Sequence, residues 1–236
     1  MNVGREIVLV HSPLLSPMSW SAVAEALTAM EHRVVVPDLR PVLSGNPPFY
    51  ARVFSAVAEV IGRDVGSVVL VGHSGAGALL PGIAGALPVP ATGLVYVDAL
   101  LPHPGTSWLE SLSEDRAAHL RSLCRDGRLP PWSTWFPAEV LEKALPDEAM
   151  RAAFHDDLPE LPWALTTEPM PSVVLDPAPR KAYIRLSEAY DQMAASAEES
   201  GWPVARLSAG HLAPLTRPGE LAELILAESA RSVAGP

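Results

Sequence analysis

Apolar residues along this chain alternate between two rhythms. Short continuous runs at residues 7–10, 34–36, 67–71 and 93–97 read as strands buried on both faces. Between them, residues 18–30 and 49–61 carry helical spacing, the second with Val53, Val57, Val60 and Ile61 on one face. Ser16 is placed to cap the first of these helices, and Pro17 suits its first position. Residues 41–48 read as a turn-rich loop. A small, helix-compatible run, Ala78-Leu79-Leu80, follows the third strand. Strict alternation of strand and helix implies an α/β protein with a mostly parallel, doubly wound central sheet flanked by helices. In such a sheet ligands bind at the carboxyl ends of the strands. His11, Ser74 and Asp98 all fall at such ends.

The alternation breaks at residues 102–179. Helical patterns run over 108–124, 138–145 and 147–155, with a weaker piece near Trp163. The same stretch holds Trp108, Trp132, Trp135, Phe136 and Trp163, most of the aromatic bulk of the chain. It reads as a small helical cap inserted over the strand ends, where apolar small-molecule pockets form. Most of its tryptophans are expected to pack cap against core; Trp108 and Trp135 are candidates for a pocket wall. The sheet then resumes with strands at 182–186 and 203–207, a helix at 190–200 between them, and a terminal helix at 218–228 with Leu221, Leu224 and Ile225 inward. The expected organisation is a core formed by residues 1–101 and 180–236, a cap at 102–179, no repeat and no second domain.

Composition narrows the class. A chain of 236 residues that is 48% apolar and 19% charged fits one globular domain with a full core. The net charge of −10 argues against nucleic acid or an anionic membrane as partner. Cys124 is the single cysteine, which excludes an internal disulfide and a cysteine metal cluster. No basic-then-apolar leader opens the sequence, which enters a strand soon after Met1-Asn2-Val3-Gly4, and no run reaches membrane-span length. A cytoplasmic protein with a small-molecule substrate is expected. Lys143 and Lys181 are the only lysines, and arginine, alanine and proline abound, which points to a GC-rich bacterial genome.

Candidate chemistry sits in Gly72-His73-Ser74-Gly75-Ala76. A strand precedes it and a helix follows, so Ser74 stands at the apex of a sharp turn, at a helix N-terminus. Gly72 and Ala76 are the small residues that let strand and helix approach, giving G-x-S-x-A in place of G-x-S-x-G. The plain alternative is a Gly-rich turn with an incidental serine. Far downstream, Gly210-His211 follows the last strand, where an imidazole can reach over the sheet to an elbow serine. A serine hydroxyl becomes a useful nucleophile when such a neighbour takes its proton. The remaining histidines carry less. His73 is the variable residue of the elbow and a candidate pocket residue. His11 reads as a brace for its loop, and His32, His103, His119 and His155 as surface or cap residues. No histidine pair has metal-ligand spacing, and the Gly72–Gly77 stretch lacks the spacing of a dinucleotide loop, so no metal or cofactor is expected.

Taken together, Val8-Leu9-Val10-His11 with Trp20, Val36-Pro37-Asp38-Leu39, Val71-Gly72-His73-Ser74-Gly75, the cap placement and Ala209-Gly210-His211-Leu212-Ala213-Pro214-Leu215 resemble the α/β-hydrolase fold. Within it, the chain resembles the plant hydroxynitrile lyases, salicylate-type methylesterases and their bacterial relatives. The resemblance covers essentially the whole chain. It implies Ser74 as nucleophile and His211 as base. The family's acid usually follows the strand read at 182–186, and register puts Ala189 there, with Glu188 and Asp191 nearby. Some members of the fold carry the acid after the strand that follows the nucleophile, which here is Asp98. Asp98 is favoured, Glu188 and Asp191 are the alternatives, and an acid-free pair is the plain reading. One oxyanion donor is the Gly75 N–H. The resemblance puts the other at Pro13, which has no N–H. Leu14 or the Ser12 hydroxyl could substitute, and in the lyase branch a threonine that helps bind substrate matches Ser12.

Three functions follow from these residues. The first is cofactor-free hydrolysis of an ester or thioester of a small apolar compound. The second is lyase or cyclase chemistry on a carbonyl intermediate, with Ser74 and His211 as an acid–base pair. The third is a ligand-binding homologue without catalysis, against which the intact Ser74 and His211 argue.

Overall fold

The computed structural model describes residues 4–62 and 64–231. The first three residues, Arg63 and the last five, which the sequence reading assigns to the core, lie outside the described residues. In chain order the first half runs β1 (Arg5–Val10), α1 (Met18–Ala29), β2 (Arg33–Val35), α2 (Arg40–Leu43), α3 (Phe49–Glu59), β3 (Ser67–His73), α4 (Leu80–Ala86) and β4 (Ala91–Val97). Then come α5 (Glu114–Leu123), β5 (Arg128–Leu129), α6 (Ala138–Ala144), α7 (Glu148–Asp157), β6 (Leu161–Pro162) and α8 (Trp163–Thr167). The chain closes with β7 (Arg180–Arg185), α9 (Asp191–Glu199), β8 (Val204–Arg206), α10 (Ala213–Thr216) and α11 (Pro218–Arg231).

Six strands form one sheet in the order β2-β1-β3-β4-β7-β8, and each neighbouring pair is parallel. Side chains alternate across it, as a strand's period of two requires. Val8, Val10, Leu70, Leu94, Tyr96 and Tyr183 pack on one face with α3, α4 and α9. Ile7, Leu9, Val69, Val71, Val95, Val97 and Ile184 pack on the other with Trp20, Val23 and Leu27 of α1 and Leu221 and Ile225 of α11. Both faces are therefore dry, which is why these strands read as continuous apolar runs. Reversal of strand order at β1 and β3 opens the crevice at the carboxyl edge.

Three local expectations need correction. The helix expected over 108–124 is broken into a 3-10 turn, Leu109–Ser111, and α5. Glu110 accepts hydrogen bonds from the Ser107 N–H and hydroxyl, both at 2.8 Å, and Ser113 is extended (φ −62°, ψ 155°) before α5 begins. Local side-chain bonds thus compete with a continuous helix. Residues 41–48 are not wholly loop, because Pro41 sits in the first turn of the short α2. Ser16 does not cap α1; Pro17 holds that place, and the Ser16 hydroxyl bonds the Asp157 carboxylate on α7. The antiparallel β5–β6 ribbon has no periodic signature in two-residue strands. Among the described residues no helix is long and apolar enough to cross a membrane.

Candidate active site

β3 ends at His73, and the chain turns directly into a 3-10 segment, Ser74–Leu79, that leads into α4. Ser74 occupies the turn at φ 56°, a left-handed conformation that is costly for a residue with a Cβ. The tightness of this turn explains its small neighbours. A Cβ on Gly72 would stand 2.9 Å from Leu80 Cδ2 and 3.1 Å from the Ala76 backbone. A Cβ on Gly77 would stand 2.4 Å from the Leu100 carbonyl oxygen. The Leu100 N–H in turn donates to the Ser74 carbonyl at 2.9 Å, tying the elbow to the segment that leaves β4. Ser74 is 9% exposed. Its Oγ stands 3.4 Å from the Tyr190 hydroxyl, and no hydrogen bond joins it to His211.

Asp98 caps β4, the strand next to β3, also at positive φ (42°), and is fully buried. Its Oδ1 accepts the backbone N–H groups of Leu186 and Ser187 at 2.8 and 3.0 Å. Its Oδ2 accepts the Ser187 hydroxyl at 2.5 Å and His211 Nδ1 at 2.8 Å. Burial pushes this carboxyl up, but the His211 contact and the donors at the end of β7 outweigh it and hold the group below its ordinary value. With Nδ1 committed to Asp98, Nε2 is the imidazole nitrogen left for chemistry. Gly210 supports the turn into His211 at φ 79°. The imidazole is flanked by His73, with centroids 4.5 Å apart, and by Tyr190, stacked at 5.0 Å with a 5° interplanar angle. The His73 ring donates from Nε2 to the His211 carbonyl at 2.9 Å, and burial drives it down to about 3, so it stays neutral beside His211. Glu188 and Asp191 do not join this group: Glu188 is exposed, and Asp191 pairs with Arg185 at 2.5 Å. The strand end where the resemblance usually places the acid supplies hydrogen-bond donors to Asp98 instead.

The loop after β1 forms the other wall. Trp20 anchors it by donating from Nε1 to the Val10 carbonyl at 3.0 Å. His11 braces it internally: Nε2 accepts the Leu39 N–H at 3.0 Å, so Nδ1 carries the proton and donates to the Ser12 carbonyl at 2.8 Å. Burial lowers this ring to about 4 and keeps it neutral. Pro13 offers no N–H. Leu14, the backbone alternative, donates its N–H to Ser12 Oγ at 3.3 Å and is thereby committed. The Ser12 hydroxyl hydrogen is left free for another acceptor, and Ser12 Oγ lies 3.0 Å from where a Gly75 Cβ would stand. Gly75 N–H, in the first turn of its helical segment, has no intrahelical acceptor.

A narrow cavity opens from Ser12 and Gly75 towards residues 100–170. Leu79, Leu100, Trp108, Leu161, Leu165 and Met170 make it apolar. Tyr50 and His103 add two polar groups. Trp108 lines this cavity as expected of a pocket residue. His73 and Trp135 do not: His73 is buried beneath His211, and the Trp135 indole turns away to donate to the Pro130 carbonyl at 2.9 Å. His103, read from the sequence as a surface or cap residue, is part of the wall. Tyr50, Ser187 and Tyr190 carried no motif at all. Among the described residues no group of three or more His, Cys, Asp and Glu side chains could hold a metal ion.

Residues 7–224 match the model of the alpha/beta hydrolase family. A carbendazim hydrolyzing esterase from a Nocardioides species is 26% identical over 93% of this chain and 98% of that protein. A pyrethroid hydrolase from Sphingobium wenxiniae is 32% identical over 42% of this chain and 38% of that protein. Among solved structures, a pyrethroid hydrolase from Sphingobium faniae superposes with a TM-score of 0.75 at 24% identity, covering 96% of this chain and 97% of the other. An extracellular alpha/beta-hydrolase from a Paenibacillus species, described as homologous to tobacco salicylic acid binding protein 2, gives 0.75 at 18% identity over 95% and 99%. The chain belongs to the alpha/beta hydrolase family, and the sheet order and elbow described above are that fold.

Proposed function

We propose that this alpha/beta hydrolase is a serine esterase acting on an ester or thioester of a small, largely apolar compound. The observation that carries the reading is the Asp98–His211 bond of 2.8 Å, beside a serine at φ 56°. In the reaction, Ser74 Oγ attacks the carbonyl carbon while His211 Nε2 takes its proton. Asp98 holds the ring tautomer and stabilises the imidazolium. The Gly75 N–H and the Ser12 hydroxyl hold the oxyanion, the hydroxyl standing in for the N–H that Pro13 lacks. His211 then gives the proton to the leaving oxygen or sulfur, and water repeats the sequence on the acyl-enzyme. An apolar cavity next to Ser12 and Gly75 suits an apolar substrate group. Relatives named for ester and pyrethroid hydrolysis point to the same chemistry.

The test is intact mass after exposure to a small fluorophosphonate, with Ser74→Ala alongside. One adduct on the parent and none on the variant is expected. A folded parent that takes no label refutes an activated serine. Pro13 favours a second reading, because losing one oxyanion donor costs about 10²–10³ in acyl transfer. In that reading Ser74 and His211 act as an acid–base pair in a lyase or cyclase reaction, and no covalent adduct forms during turnover.

A further inference from the structure

The mechanism above leaves one polar group at the reacting centre unused. Tyr190 follows β7 in a 3-10 turn, Glu188–Tyr190, and its ring lies flat against His211. Its hydroxyl reaches Ser74 Oγ at 3.4 Å, long for a hydrogen bond between hydroxyls, so it is not spent on a strong resting partner. Ser12 and Gly75 flank the cavity, whereas Tyr190 stands with His211. Acyl transfer places two oxygens on the tetrahedral carbon besides Ser74 Oγ. One is the oxyanion, which belongs to the Gly75 and Ser12 donors. The other is the leaving oxygen, which must approach His211 Nε2 to receive its proton. A hydroxyl 3.4 Å from Ser74 Oγ, on a ring stacked against the imidazole, is therefore placed on the side where that leaving oxygen must stand.

We infer that Tyr190 is a further catalytic donor, whose hydroxyl hydrogen-bonds the leaving oxygen as the bond between it and the acyl carbon breaks. This rests on the esterase reading and goes beyond it. The step balances without a new reagent. The Ser74 Oγ–carbon bond forms, the carbon–oxygen bond of the leaving group breaks, and the proton from Ser74 passes through His211 to the departing oxygen. Tyr190 donates a hydrogen bond and keeps its proton. Burial pushes this phenol up to about 12, so it is a neutral donor at working pH. In deacylation the same position holds the attacking water, whose proton goes to His211. The donor matters most where the departing oxygen carries most charge, in alkyl esters with poor leaving groups, and least for p-nitrophenolate, which needs little help.

The experiment compares kcat/KM of the parent and Tyr190→Phe on ethyl and p-nitrophenyl esters of the same acid. Tyr190→Phe keeps the ring against His211 and removes only the hydroxyl. The expected result is a loss of about 10- to 100-fold on the ethyl ester and a clearly smaller one on the p-nitrophenyl ester, so that the ratio between the two shifts at least about tenfold. Tyr190→Leu, which also removes the stacked ring, should depress both esters together. An equal loss on both esters for Tyr190→Phe, or none, overturns the proposal and leaves the esterase reading standing. A parent that hydrolyses neither ester and takes no fluorophosphonate overturns both.

Discussion

Asp98 holds four hydrogen bonds on two oxygens, one to His211 and three to the end of β7. Asp98→Asn keeps the shape but offers the ring an amide, so the imidazole loses its fixed tautomer. The expected cost is on the order of 10³–10⁴ in kcat, with the thermal midpoint lowered as well, because an amide NH2 cannot accept from Ser187 and His211 as Oδ2 does. Glu188→Gln and Asp191→Asn should stay within about twofold of the parent, since neither side chain reaches the imidazole; a collapse of rate in either would move the acid elsewhere. Ser187→Ala removes one donor from Asp98 Oδ2 and should lower kcat about tenfold with KM little changed, read from initial rates at fixed pH. These residues differ in how legible they were. Ser74 and Asp98 each follow directly on a strand and His211 lies in the loop after the last one, in the order serine, acid, histidine, a pattern the sequence carries. Ser187 and Tyr190 meet Asp98 and Ser74 across 89 and 116 residues of chain. No spacing rule marks such a partner. His103 escaped for the same reason, because only the folded wall shows which way its loop turns.

Elements show the same division between periodic and isolated signals. The alternating strands and helices were readable because burial on both faces writes a continuous apolar run into each strand, and burial on one face writes a recurrence at every third or fourth residue into each helix. What fastens residues 102–179 to the sheet was not readable, because it depends on individual side chains. Glu168 accepts the N–H groups of Phe49 and Tyr50 at 2.8 and 3.0 Å, capping α3 from a distant segment. On the opposite side Asp157 of α7 receives Arg40 at 2.7 Å and the Ser16 hydroxyl. Glu168→Ala strips the cap from α3 and should cost about 1 kcal/mol, seen as a lower urea midpoint. Tyr50 and Leu165 then lose a shared support at the cavity wall, so KM should rise as well. Gly77→Ala tests the elbow itself. Its Cβ would press on the Leu100 carbonyl and on Ala99 Cβ at 2.7 Å, in the segment that leaves Asp98. A loss of about 1–3 kcal/mol is expected from such overpacking, and an unchanged midpoint would show that the 99–100 segment yields freely.

At the scale of the whole molecule, the carboxyl edge of the sheet buries two neutral imidazoles, His11 and His73, at 0% and 1% exposure. Their neutrality has a consequence for stability that neither ring alone reveals. Burial lowers His11 from 6.5 to about 4 and His73 from 6.5 to about 3. In the unfolded chain both titrate near the ordinary value of about 6.5. As pH falls through about 6.5, the unfolded chain therefore binds protons that the native protein refuses. Stability must decline on acidification, beginning near the ordinary value and continuing down to about 4 for His11 and about 3 for His73. Each ring contributes a slope approaching about 1.4 kcal/mol per pH unit well below 6.5, an upper figure because a native state under strain can open locally to admit the proton. Asp98 works in a lower window: its depressed carboxyl supports the fold above its unfolded value and withdraws that support only as pH falls through the native one. Between pH 7 and pH 5 the two histidines should therefore dominate. Urea unfolding across that interval should show the midpoint falling steadily. His11→Gln, whose amide can still accept the Leu39 N–H, should remove roughly half of the slope. A midpoint flat from pH 7 to pH 5 would mean that both rings accept protons in the native state, and a slope the variant leaves intact would mean that His11, in the loop between β1 and α1, is not its source.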